Sequence, residues 1–217
     1  MVRAAQKPRP PRVSPPDLRA RLDDVTAGRR ADLFQARLIG LDGDVDLSFA
    51  GLEEVRIPAA ELGSLSLRGA TLVDVDIESL RAVEVVARDA SFRRVRIVGG
   101  RIGTLDLAGA RIAELELRDV RIDYARFASA ELEDVIVADC VIRALDLPQA
   151  RLSRVAFDGS RADEVDPRGM RASDLDLRGL DALSIMDPLA LRGATLTEEQ
   201  VRLLAPAFAA AVGIDVR

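Results

Sequence analysis

From Val45 onward an apolar residue returns every five positions, and that spacing excludes most folds before any other feature is weighed. With the central apolar position of each pentad called i, it falls at Leu47, Leu52, Ile57, Leu62, Leu67, Leu72 and Ile77. It returns at Phe92, Ile97, Ile102, Leu107, Ile112, Leu117, Ile122, Phe127, Leu132, Val137, Ile142, Leu147, Leu152 and Phe157, and Leu177 is still in phase. Of the 27 such positions from 47 to 177, Leu, Ile, Val or Phe fills 22; the others are Ala82, Ala87, Ala162, Pro167 and Ala172. A helix needs a period of 3.6, so a period of five drifts across every face of one. A flat strand needs strict alternation over a longer run. Here the apolar positions i−2 and i alternate for three residues, and two polar residues then turn the corner. Short strand, turn, short strand is the arrangement of a solenoid, whose stacked coils bury one continuous apolar column.

Position i−2 alternates in size. Val45, Val55, Leu65, Val75, Val85, Val95, Leu105 and Leu115 are large, whereas Ala50, Ala60, Ala70, Ala90, Gly100 and Ala110 are small. The true unit is therefore ten residues. Val120 is large where a small residue is due and Ala125 is small where a large one is due, a pair of exchanges that keeps the core volume constant.

The pattern resembles that of the pentapeptide-repeat family, whose motif is Ala, then Asp or Asn, then Leu, then two free positions. Ala70–Asp74 (ATLVD), Ala110–Glu114 (ARIAE), Ala130–Asp134 (AELED) and Ala150–Arg154 (ARLSR) match it at the small and large positions. The resemblance covers roughly residues 31–196. It departs at i−1, often Arg, Glu or Thr, and at i−2, often Leu or Val. It implies an all-β fold, a right-handed quadrilateral parallel β-helix with four pentads per coil. The 27 pentads would make just under seven coils, a rod ~32 Å long at ~4.8 Å per coil.

Irregularities are expected at three places. Leu33 and Leu38 sit one residue out of phase with Leu47, so the segment Leu41–Asp44 must absorb a slip. Ser160 to Ala172 has poor residues at i and is expected to form a distorted coil, with Pro167 unable to donate a ladder hydrogen bond. After Thr195 the pattern becomes helical. Thr197 to Gln200 reads as a capping box, and Val201, Leu204, Phe208, Ala211 and Val212 form one apolar stripe. Pro206 is expected to kink that helix or start a second, and Gly213 to stop it. The stripe reads either as a lid on the last coil or as a dimerisation surface. Arg192–Gly213 is similar to the C-terminal module of a mycobacterial fluoroquinolone-resistance member of the family, which implies a homodimer formed head to head. The organisation expected is a basic, proline-rich flexible tail over 1–30, the repeat body over 31–196 and a helical cap over 197–217.

Composition narrows the chemistry. The 217 residues contain no His and one Cys, Cys140, which excludes imidazole catalysis, Ser-His and Cys-His nucleophiles and an intrachain disulfide. Cys140 falls at an inward i−2 position and reads as a small buried residue; Phe92, Phe127 and Phe157 read as core. No catalytic residue, metal site or cofactor is expected. No apolar run approaches 18 residues, so no membrane span is expected. Residues 1–30 carry eight basic and three acidic residues, a net +5, which leaves −10 on the remainder. The stretch Lys7–Pro16 holds five of the ten prolines and should be extended. No apolar stretch follows its basic residues, so it is not a secretory signal, and a cytoplasmic location is expected. It reads as a solvated linker or as an anchor, for nucleic acid or for the protein's own acidic body.

Two functions from different classes stay open. The family resemblance implies a DNA mimic that binds DNA gyrase, its carboxylates standing in for phosphates. On that reading the partner-binding residues are Glu53, Glu54, Asp74, Glu131, Glu133 and Asp134, which share one face with Arg93, Arg94, Arg151 and Arg154. A duplex ~32 Å long carries roughly 19 negative charges, against −10 here. The other reading is a structural scaffold or interaction module with an unrelated protein partner, for which Ile136, Val141 and Tyr124 form a small apolar candidate patch. Neither reading includes direct duplex binding by the repeat body or an enzyme.

Overall fold

In the computed structural model, which describes residues 7–216, the chain winds into a parallel β-solenoid of about eight turns, 56% of it strand, followed by one short helix. Each coil takes 20 residues, four pentads around four sides, so residue n stacks on n + 20. Thus Leu52 pairs with Leu72, Leu72 with Phe92, Phe92 with Ile112 and Ile112 with Leu132. Strands round the corners, as Thr71–Val86 and Ser91–Asp106 do, so the coils form a single 16-stranded sheet among the described residues. Both apolar positions of the pentad point inward and build one continuous core from Ala36 to Leu191. Phe92, Phe127 and Phe157 lie in it. Val120 and Ala125 are both fully buried, where the volume exchange expected of them requires.

The corners explain the polar positions. At three of the four, residue i+2 takes a positive φ, in the columns Phe49–Gly69–Asp89–Gly109, Glu54–Asp74–Arg94–Glu114 and Ser79–Gly99–Asp119. In the first column the amide three residues after i bonds back to its carbonyl, as from Ala70 to Leu67 at 3.0 Å. An Asp at i−1 often braces such a turn by accepting the amide at i+1: Asp46 from Ser48, Asp106 from Ala108 and Asp166 from Arg168.

The expected slip lies between Gly43 and Asp44, where the offset to the next coil changes from 19 residues (Gly43 to Leu62) to 20 (Asp44 to Ser64). The distorted coil expected at 160–172 is a correction. Ser160–Asp166 and Arg171–Asp176 keep the 20-residue register with the coil before them. Ala162 and Met170 are buried and hold the core there. Pro167 removes one rung only. The column of inter-coil bonds that runs from Leu47 to the Leu147 amide ends at it. Irregularity starts one coil later, where a 3-10 turn, Pro188–Leu191, leads to the short strand Ala194–Thr195.

The N-terminal boundary differs from expectation. The rod starts at Asp23–Val25, which pairs with Ala36–Leu38, upstream of residue 31. The C-terminal helix runs unbroken over Glu198–Ala211, through Pro206. Its capping box is present: the Thr197 hydroxyl accepts the Gln200 amide and Gln200 Oε1 accepts the Thr197 amide. Gly213, at φ 79°, ends it, with the Ile214 amide bonding back to Ala209. Among the described residues no helix is long and apolar enough to cross a membrane.

Candidate interaction surface

The six carboxylates expected to bind a partner all lie on one side of the rod. Glu53, Glu131 and Glu133 flank the buried column Leu52–Leu72–Phe92–Ile112–Leu132. Glu54, Asp74 and Asp134 stand at the adjoining corner, in a column that reads Glu54, Asp74, Arg94, Glu114, Asp134, Arg154, Asp174. An open trough of about 730 Å³ runs along this side between Ser91 and Ser173. Arg111, Glu131, Arg151 and Arg171 form one bank, and Arg93, Ala113, Glu133 and Ser153 the other.

Few of these carboxylates are free. Arg94 pairs with Asp74 from the next coil. Arg154 pairs with both Glu133 and Asp134, with Nε 2.6 Å from Asp134 Oδ1. Arg151 holds Glu131 at 2.7 Å, and Glu54 accepts from Gln35. The arginines hold the Asp74 and Asp134 carboxyls below the usual carboxylate range, and the two carboxylates push Arg154 upward. The same device recurs on the next side, where Asp76, only 1% exposed, accepts from Arg96 Nε and Nη2 at 2.9 and 2.8 Å. Arginines one coil away thus interrupt the like-charge ladder that stacking identical coils would create, leaving only Glu54 on Asp74 and Glu114 on Asp134 as like neighbours in the corner column.

The proline-rich segment lies along this corner. It is extended, as its composition requires, and seated on the rod instead of hanging free. Arg9 donates its amide to Asp174 Oδ1 at 3.0 Å, and its guanidinium Nε and Nη2 meet Asp174 Oδ2 at 2.9 and 2.7 Å. Further along, the amides of Arg12, Ser14 and Asp17 donate to Asp134 (2.9 Å), Glu114 (3.2 Å) and Asp74 (3.0 Å). Pro8, Pro11, Val13, Pro16 and Leu18 are half-buried. Of the two roles read for this segment, contact with the protein's own acidic body is the one observed. Arg3, the first of its basic residues, lies outside the described residues.

The C-terminal stripe divides by face. Leu204 and Phe208 pack on the core, and Gln200 Nε2 ties the helix to the last coil through the Leu177 and Leu180 carbonyls at 2.7 and 2.8 Å. Val201, Ala211 and Val212 are exposed, as is Leu203, which the stripe omitted. Leu183, Met186 and Leu189 are also exposed on the last turn. The candidate patch at Ile136, Val141 and Tyr124 is dispersed. Val141 stacks between Arg121 and Arg161, Ile136 lies half-buried against Glu116, and the Tyr124 hydroxyl is bonded to Asp146. Cys140 is buried, its thiol 3.3 Å from the Ala138 carbonyl, and burial pushes its pKa up.

Sequence reasoning did not single out Arg9, Arg12, Glu114 or Asp174. A signal for them exists, since the 20-residue spacing brings Asp74, Glu114, Asp134 and Asp174 into one corner column and the prolines leave only a few amides to meet them. Compared with protein-family models and with curated proteins, the chain matches none.

Proposed function

We propose that this chain is a non-catalytic scaffold rod of the pentapeptide-repeat type that engages a protein partner through its C-terminal end, the partner being a second copy of the chain. The observation that carries this reading is the apolar surface there. Leu183, Met186, Leu189, Val201, Leu203 and Val212 are 46–75% exposed. Large apolar side chains gathered at one end of a rod mark an interaction site, and a two-fold contact would use the same surface twice. The side that carries the candidate carboxylates is different, because Asp74, Glu131 and Asp134 are each paired with an arginine one coil away.

Light scattering tests this. The wild type is expected to be a dimer and Leu203→Glu a monomer with its helix content intact, since Leu203 points away from the core. A monomeric wild type overturns it. Gyrase modulation is the second reading, and what favours it is the same C-terminal end, which the resemblance makes a dimer module. Arg partners on Asp74, Glu131, Glu133 and Asp134 leave it little bare negative charge. Full-length protein titrated into a gyrase supercoiling reaction, with and without a quinolone, decides between them. Inhibition or drug rescue that weakens with salt supports mimicry, and no effect at micromolar protein leaves the scaffold.

A further inference from the structure

Between Pro8 and Asp17 the five prolines leave five backbone N–H groups, on Arg9, Arg12, Val13, Ser14 and Asp17. Four of them donate to carboxylates of one corner column. The match extends to the gaps. Read from the C-terminal end of the rod, the column is Asp174, Arg154, Asp134, Glu114, Arg94, Asp74. Against it run Arg9, then Pro10 and Pro11, then Arg12, Ser14, then Pro15 and Pro16, then Asp17. Each amide-bearing contact meets an acid, and each proline pair spans a coil whose corner is an arginine. An N–H placed there would face a cation instead of an acceptor. A shift of one coil would set prolines against carboxylates and amides against Arg94 or Arg154. Those two arginines instead pair with Asp74 and Asp134, orienting the acceptors.

The lengths agree as well. Asp74 and Asp174 are five coils apart, ~24 Å at ~4.8 Å per coil. Eight residues from Arg9 to Asp17 cover that span at ~3 Å each, close to the ~3.1 Å rise of a polyproline II helix. Such a peptide has no internal hydrogen bonds, so its amides are available, and its proline content limits the entropy lost on docking.

We infer that this corner is a recognition track for an extended, proline-rich, arginine-bearing peptide, and that residues 8–17 are its resident ligand, held in cis. The recognition is by backbone amides to carboxylates, with a guanidinium clamp at Asp174 and proline pairs as the spacers that set register. While the tail occupies the track, Asp74, Glu114, Asp134 and Asp174 are withheld from any other partner. The inference is independent of what binds the C-terminal end.

The test uses the full chain. Arg12→Pro with Ser14→Pro removes two of the four donors, preserves the extended conformation and leaves the rod untouched. The probe is a fluorescein-labelled peptide, Lys-Pro-Arg-Pro-Pro-Arg-Val-Ser-Pro-Pro-Asp, read by anisotropy, with a second peptide of the same composition in which the proline pairs are displaced. A tail tethered by a short linker competes at an effective concentration in the millimolar range. The double variant is therefore expected to bind the peptide roughly tenfold or more tightly than the wild type does, and the displaced peptide is expected to bind neither. Asp134→Asn in the double variant should weaken the peptide several-fold, with circular dichroism confirming that the rod is folded. Equal affinity of wild type and variant, equal binding of the displaced peptide, or no binding to the folded variant at millimolar peptide would each overturn the inference.

Discussion

Gly100 stands over Leu80 at φ 105°, and a Cβ added there would overlap the Leu80 carbonyl. Only glycine combines that torsion with that approach. Gln149, at φ 60°, is the opposite case. It occupies the left-handed corner position that Gly109 and Gly169 fill elsewhere in its column, and no side-chain bond holds it there. A left-handed non-glycine residue costs ~1–2 kcal/mol, part of which glycine returns as unfolded-chain entropy. Gly100→Ala is expected to destabilise the rod by at least ~2 kcal/mol, and Gln149→Gly to stabilise it by up to ~1 kcal/mol. Urea denaturation followed by circular dichroism checks both. A silent Gly100→Ala would mean that the strands part there easily.

At the scale of the elements, the C-terminal helix hangs on a few contacts. Gln200 closes the capping box and bonds two carbonyls of the last coil, while Leu204 and Phe208 supply the packing. Gln200→Ala removes three hydrogen bonds, each ~1 kcal/mol net. The helix amides over 201–212 are expected to exchange faster by at least tenfold, with the coils between 71 and 157 unchanged. Uniform protection would show that the apolar contacts alone seat the helix. The elements differ in how far the sequence announced them. The coils, the slip at Gly43, the inward Phe residues and the capping box follow from periodicity and turn chemistry among residues near in sequence. The coil around Pro167 was misjudged because a missing donor looks alike in sequence whether one rung or a whole strand is lost. Only the register with Leu147 and Met170 tells them apart. The split of the C-terminal stripe was hidden for a related reason. Spacing groups Val201, Leu204, Phe208 and Val212 together, but the angle at which the helix meets the last coil decides which of them are covered.

Across the whole molecule, the tail and the rod hold each other through contacts 57 to 165 residues apart, which no local pattern encodes. Their strength depends on charge. Asp174 is lowered by the Arg9 guanidinium and amide, Asp74 first by Arg94 and then by the Asp17 amide, and Asp134 first by Arg154 and then by the Arg12 amide. Asp174, lowered chiefly by the tail's own Arg9, gives its full contribution to docking above the free value of 3.8, whereas Asp74 and Asp134 stay lowered by Arg94 and Arg154 when the tail lifts and so accept its amides to lower pH. The Asp174 contribution is lost as the pH falls through the lowered value. The tail is therefore expected to stay seated at neutral pH and to free its Arg9 end below about pH 4. The inter-coil backbone bonds and the apolar core do not titrate, so the rod is expected to persist at that pH. Anisotropy of a fluorophore on the N-terminus should fall on acidification while the circular dichroism of the rod is retained. Added salt should weaken docking in the same direction at neutral pH, because the Arg9–Asp174 pair is exposed on its arginine side and the Debye length shrinks to ~3 Å at 1 M. Anisotropy that stays high at pH 3 with a folded rod would mean that the half-buried prolines, Val13 and Leu18 hold the tail instead of the carboxylates. The corner column would then lose its role as the acceptor of the amides.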